Sequence, residues 1–258
     1  MARRPSEVPP KIVRELNAGT REAANLAESL AMDFKKLAKA AVPGHASAIV
    51  SALGDEHAVT KRMRLVGDVL VERASAEEIE TLAAHTSDTV RSWAAYAVGL
   101  GPGILRQKLK AVRRFADDPH YGVREWAWLA VRDGIVAEPT KAIAALTPWA
   151  KAKSGNVRRF ASEATRPRGV WCAHIRELRR DPEAGLAILE PLRADTSKYV
   201  QDSVANWLND ASKDRSDWVV PVTERWLRES PCEATERIAR RARRSLRRGS
   251  SKPRARFP

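Results

Sequence analysis

A five-residue helical phrase recurs along this chain at nearly constant spacing, and the recurrence limits the available folds more than any other feature. It reads Val90-Arg91-Ser92-Trp93-Ala94, then Val123-Arg124-Glu125-Trp126-Ala127, then Val157-Arg158-Arg159-Phe160-Ala161. A looser copy, Val200-Gln201-Asp202-Ser203-Val204, and a degenerate one, Ala234-Thr235-Glu236-Arg237-Ile238, continue it. The starts lie 33, 34, 43 and 34 residues apart. Periods of this size, filled by helix pairs, belong to α-solenoids, in which each unit buries its apolar face by stacking on the next.

Helix signals fill nearly every stretch, and no convincing alternating strand pattern interrupts them. The first half predicts helices over 9–17, 21–41, 44–53, 58–73, 76–85, 88–99, 103–116 and 120–134. The second half predicts 138–152, 155–164, 181–193, 197–211, 217–229 and 232–247. Gly and Pro punctuate them at Pro43-Gly44, Gly101-Pro102-Gly103, Pro119, Pro182 and Pro231. Ser75 with Glu78 three residues on forms a capping box, and Thr196 or Ser197 precedes the fourth phrase. The expected fold is all-α, a right-handed α-α solenoid of about five to six HEAT-like helix pairs. It should run as one domain over 1–248, followed by a basic, disordered tail over 249–258.

The interval of 43 residues is the exception in the series. Its extra residues fall after the third phrase, in the stretch from Thr165 to His174, which brings Arg166, Arg168 and Trp171 into irregular backbone around Pro167. Insertions in repeat proteins map to loops on one face, often the binding face.

Charge narrows the partners. The chain carries 46 Lys and Arg against 32 Asp and Glu, a net +14. Ten of those bases, and no acid, lie between Arg237 and Pro258, so most of the excess is C-terminal. Such a segment attracts phosphate, whether nucleic acid or an anionic membrane surface; a solubilising terminus is the plainer alternative. No apolar run approaches the roughly 18–20 residues needed to span a bilayer, and the N-terminus lacks a secretory signal. Cys172 and Cys232 are the only cysteines, which fits a reducing cytoplasm. With five histidines and no metal-ligand spacing, neither a metal nor a cofactor is expected.

Taking the residue that opens each phrase as position 0, and advancing 100° per residue, apolar side chains at 0, +4 and +7 or +8 form one stripe. Positions +2, +6 and +10 point the opposite way. They hold Glu125, Arg159, Glu163, Asn206 and Asp210, a set able to converge on one groove if the phrase helices line the inner surface. Charged residues opposite an apolar stripe are equally what any solvated helix face shows. Trp93, Trp126, Trp149, Trp218 and Trp226 read as packing residues. Trp171, and Trp207 beside Asn206 and Asn209, are the candidates for stacking on a sugar or base.

Two strings add a family resemblance. Ser162-Glu163-Ala164-Thr165-Arg166-Pro167-Arg168 with Trp171, and Leu208-Asn209-Asp210 within Val204–Asp214, resemble the AlkC branch of the bacterial DNA alkylation repair family of HEAT-like-repeat DNA glycosylases. Val123-Arg-Glu-Trp-Ala-Trp128 resembles the corresponding family helix, and the likeness covers roughly residues 20–230. The resemblance implies excision of cationic alkylated bases, N3-methyladenine and N3-methylcytosine among them, without a deep pocket for the base. It implies Glu125, Glu163 and Asp210 as the acidic catalytic residues. It further implies Arg159, Arg166, Arg168, Trp171, Asn206, Trp207, Asn209 and Lys213 as DNA contacts. Double-stranded alkylated DNA is the expected partner, with no membrane, for a cytoplasmic, nucleoid-associated monomer. Some members carry an immunoglobulin-like domain that helps enclose DNA; here the basic tail is the expected substitute. Gln201-Asp202 stands where basic residues are more usual, which should weaken one phosphate contact. A non-catalytic solenoid that binds DNA structures or a protein partner is the rival reading.

Overall fold

A computed structural model describes residues 4–249, and its regular structure there is helical: eighteen α-helices joined by turns and short 3-10 segments, with no strand among the described residues. Two compact units divide the chain, Met1–Val131 and Arg132–Pro258. Among the described residues, no helix is long and apolar enough to cross a membrane.

The first unit runs α1 (Pro10–Asn17), α2 (Leu26–Ala31), α3 (Phe34–Ala41), α4 (Ala46–Leu53), α5 (Val59–Arg73), α6 (Ala76–Ala83), α7 (Asp88–Leu100), α8 (Leu105–Ala116) and α9 (Tyr121–Ala130). The first two phrases lie on α7 and α9, and α5, α7 and α9 pack against one another in succession. The apolar stripe is buried as the spacing predicts: Val90, Ala94, Val123 and Ala127 have no exposed surface. Each fully buried Val contributes roughly 1.5–3 kcal/mol. Glycine sets the closeness of two contacts. A Cβ on Gly67 would come within 2.8 Å of the Tyr96 side chain, and one on Gly99 within 2.8 Å of Ala130. Trp93 fills the space between repeats, edge-on to Phe34 at 5.5 Å. The helix predicted over 21–41 breaks, because Asp33 leaves the helical conformation and accepts hydrogen bonds from the Lys35 and Lys36 amides to cap α3. The Ser75–Glu78 capping box forms as read.

The second unit runs α10 (Arg132–Ala137), α11 (Pro139–Leu146), α12 (Gly155–Ala164), α13 (Arg176–Arg180), α14 (Leu186–Leu189), α15 (Lys198–Ala211), α16 (Ser216–Glu229), α17 (Glu233–Ala242) and α18 (Arg244–Gly249). Phrases three to five lie on α12, α15 and α17, which again pack in succession. The stretch 181–193 is not the single helix expected. Pro182 and Pro191 break it into 3-10 turns around one turn of α14. The C-terminal arginines are less free than composition suggests. Arg237 and Arg241 pair with Asp202, Arg243 donates to the Val220 carbonyl, and Arg244 donates to Asn206. Residues 250–258 of the predicted tail lie outside the described residues.

The second residue of the phrase explains its recurrence. Arg91 Nη1 donates to the carbonyls of His85 and Thr86 at 2.9 and 3.0 Å. Arg124 does the same to Asp118 and Pro119, and Arg158 to Ala152 and Lys153. In each case the guanidinium ties the phrase helix to the loop that leads into it, five and six residues upstream. Two of these arginines also grip the next phrase's loop, Arg91 through Asp118 and Arg158 through Asp195. Gln201 performs the same task in the fourth copy, its amide donating to the Asp195 carbonyl at 2.8 Å. Gln201 is buried, so it replaces a structural arginine and is not a weakened phosphate contact.

Candidate functional site

In the second unit the irregular interval builds a cluster of charge. Glu163 stands near the C-terminal end of α12 and Asp210 near that of α15, and Arg166 of the insertion reaches both. Its Nη1 donates to Glu163 Oε1 at 2.6 Å; its Nε and Nη2 donate to Asp210 Oδ2 at 2.9 and 2.7 Å. Ser203 Oγ donates to Glu163 Oε2 at 2.7 Å and accepts from Ser162 Oγ. Arg159 Nη2 lies 3.5 Å from the same Oε2, its guanidinium stacked 4.2 Å from the centre of the Tyr199 ring. Lys213 Nζ holds Asp210 Oδ1 at 3.0 Å. Every carboxylate oxygen of the pair therefore has a partner.

Glu163 and Asp210 are only 5% and 3% exposed, which overturns the solvent-facing position read from the helical wheel. The wheel describes one helix alone. Here the adjoining repeat helix and the inserted loop cover the face that the isolated helix would leave open. Burial works against ionisation of Glu163, but the charges of Arg159 and Arg166, with hydrogen bonds from Arg166 and Ser203, more than offset it and hold the carboxyl below its usual range. At neutral pH it is a carboxylate, fitted to stabilise positive charge or accept a proton rather than to donate one.

The loop that brings Arg166 into place is itself clamped. Arg132, 1% exposed, donates to the carbonyls of Ala164, Arg166 and Ala173. It thereby joins the end of α12 to both arms of the loop, without a carboxylate among those partners. The Ile175 amide closes the loop on the Pro167 carbonyl at 3.0 Å. Arg168 and Arg179 both grip Asp214, whose carboxyl they hold well below the ordinary range. At the tip, Val170 and Trp171 are 60% and 55% exposed, and Trp171 takes a left-handed φ of 62°. Cys172 turns inward, and burial pushes its thiol up.

The remaining predicted site residues divide. Asn206 is half-buried and accepts from Arg244. Trp207 has no exposed surface; it packs against Gly185 and Trp218, so it cannot stack on a base. Asn209, 2% exposed, donates to the Ala242 carbonyl and to Ser245, and is a structural tie within the stack. Glu125 belongs to the first unit, half-buried on α9, and accepts from Trp128 Nε1 at 2.8 Å. Sequence reading missed Arg132 and the whole of α13 with Arg176, Arg179 and Arg180. An arginine in a predicted helix and a five-residue helix without periodicity give no signal that separates them from solvated surface.

No family model matches the chain. The Bacillus subtilis (strain 168) protein YhaZ is 34% identical over 199 residues, 74% of this chain and 53% of that protein. The chain thus spans about half the length of this relative. Among solved structures, the alkylpurine DNA glycosylase AlkC of Pseudomonas fluorescens, bound to DNA containing an abasic-site analogue, superposes with a TM-score of 0.69 at 25% identity. That match covers 97% of this chain and 67% of the other. AlkD2 of Streptococcus mutans shares the fold, with a TM-score of 0.60 at 21% identity over 78% of this chain and 96% of that one.

Proposed function

The chain belongs to the AlkC/AlkD superfamily of HEAT-like-repeat proteins, and on that premise we propose that it is a DNA glycosylase that removes cationic alkylated bases. The observation that carries the reading is the Glu163–Arg166–Asp210 cluster, in which two carboxylates from neighbouring repeat helices meet at one arginine of the inserted loop. A positively charged base such as N3-methyladenine is already a good leaving group. When the bond between C1′ and the base nitrogen breaks, the electron pair neutralises the base. The protein's task is then to stabilise the oxocarbenium-like sugar and direct water to C1′. In this reading Glu125 stabilises the sugar cation, and Glu163 or Asp210 orients the water and takes its proton. Arg159 contacts a backbone phosphate, with Lys213 and Asn206 alongside, and Trp171 packs on deoxyribose. Arg166 and Arg168 hold the loop.

Lys213 is the one lysine at the cluster, and its ammonium is tied to Asp210, so a monofunctional enzyme without lyase chemistry is proposed. Borohydride should trap no covalent complex with DNA. The substrate is double-stranded alkylated DNA and the protein a monomer, acting at the nucleoid.

The test is release of free base from a duplex containing N3-methyladenine. Glu163→Gln or Glu125→Gln should slow single-turnover excision at least tenfold, about 1.4 kcal/mol of transition-state stabilisation, with DNA affinity kept within a factor of two or three. The rival reading, a DNA-binding solenoid without chemistry, draws on the full pairing of the cluster's oxygens. Should stoichiometric protein release no base from any cationic lesion, the rival stands and the enzymatic reading falls.

A further inference from the structure

The helix that sequence reading missed carries the next inference. α13 is short but firmly held: Ile175 and Leu178 are buried, and Arg215 Nη1 fixes the carbonyl of Arg180 at 2.7 Å. On it, Arg179 is consumed by Asp214. Arg176 and Arg180 are exposed, four residues apart on one helical face, and among the described residues neither meets a carboxylate or a side-chain hydrogen-bond partner. They stand beside a groove of about 770 Å³ whose polar wall also includes His174, with Glu177 its one acid and Val136 on its apolar side. His174 reports the local potential: partial burial and then the charges of Arg168, Arg179 and Arg132 hold its imidazole below the ordinary value.

We propose that Arg176, Arg180 and the groove they flank form a phosphodiester site, gripping the nucleic-acid backbone a few nucleotides from the position held at Trp171. Arginine forks match phosphate oxygens, and guanidiniums without internal partners give up nothing when they take one. The reach is right. Five residue-to-residue steps lead from Trp171 to Arg176, at most roughly 18 Å, the axial span of about five nucleotides at 3.4 Å each. The site rests on the nucleic-acid part of the reading above and is independent of its chemistry.

The experiment measures binding of an undamaged 20-base-pair duplex over a salt series, for the full chain, Arg176→Ala/Arg180→Ala and Arg176→Lys/Arg180→Lys. Both side chains are exposed, so circular dichroism should show unchanged folding. Each phosphate contact contributes about 0.9 to the slope of log affinity against log salt. The alanine pair should therefore flatten the slope by about 1–2 units and weaken binding severalfold or more at low salt, while the lysine pair keeps the slope. Single-turnover excision at saturating protein should be unchanged. A slope within about half a unit of the parent's overturns the site even if excision is robust. A flattened slope in a protein that excises nothing keeps the site and sinks the enzymatic reading instead.

Discussion

The regular repeats and the inserted loop use the same residue for opposite ends. In the repeats, Arg91, Arg124 and Arg158 each spend Nη1 on backbone carbonyls of the loop that precedes their own helix, and the carboxylates that Arg91 and Arg158 also hold, Asp118 and Asp195, belong to the next repeat's loop. In the insertion, Arg166 spends its donors on two carboxylates. The first arrangement satisfies groups that would otherwise be stranded at helix–loop joints, and it can recur because each repeat has the same joint. The second concentrates charge in a place where a solenoid needs none for packing. Ion pairs buried with this much desolvation contribute little net stability, so the cluster is better explained by what it can do than by what it holds together. Arg132 stands between the two, a repeat-type carbonyl clamp that serves the insertion.

The largest expected effect tests that intermediate role. Arg132→Met leaves the carbonyls of Ala164, Arg166 and Ala173 without their donor inside the protein. At about 1–3 kcal/mol per stranded group, a loss of roughly 3–5 kcal/mol is expected, read as a fall in thermal midpoint of about 10 °C or more. Arg132→Lys should recover only part of it, since one ammonium cannot span three carbonyls in fork geometry. A midpoint unchanged in the methionine variant would end the claim that this residue fixes the loop.

Arg158→Gln against Arg158→Ala sharpens the repeat side of the comparison. Alanine loses two carbonyl bonds and the pairing with Asp195, an expected cost of about 2–3 kcal/mol by denaturant titration. Glutamine should cost less, because Gln201 already performs this task in the fourth repeat. Equal losses from both would mean that the Asp195 pairing, rather than the carbonyl tie, matters.

Much of this architecture is written in the spacing. The positions 0, +4 and +7 of the first four phrases fall inside, and Trp207, at +7 from Val200, lies in the buried stripe; the tryptophan's chemistry argues against its own register. What the spacing cannot carry is the neighbour. Glu163 and Asp210 face away from the core of their own helices and are still buried, because another repeat and the 165–175 loop lie over them. Asn209 is likewise outward on the wheel and inward in the stack, where the α17 backbone receives it. The Arg91, Arg124 and Arg158 ties are visible in sequence only as an unexplained recurrence. α13 has too few residues for any period to declare itself.

Acid should separate the two kinds of charge. The Glu163 carboxyl titrates below its ordinary value of 4.5 in the folded protein. A depressed carboxylate contributes stability that is present above the unfolded value and lost as pH falls through the folded one. Stability of the parent should therefore decline below about pH 4.5, and the gap between parent and Glu163→Gln should shrink over the same range. A gap that stayed constant down to pH 3 would mean that Arg159 and Arg166 do not favour the ionised form.

The smallest effect concerns the loop tip. Trp171 holds a left-handed conformation, which costs a residue bearing a Cβ about 1–2 kcal/mol, and the residue is 55% exposed, so little burial repays it. Trp171→Ala keeps that strain while removing the ring; Trp171→Gly removes both. The glycine variant, despite its greater freedom when unfolded, should be as stable as the alanine variant or up to about 1 kcal/mol more stable, and both should bind duplex DNA equally weakly. Unequal DNA binding would show that backbone conformation at the tip, rather than the indole it presents, makes the contact. Equal and undiminished binding would remove Trp171 from the interface.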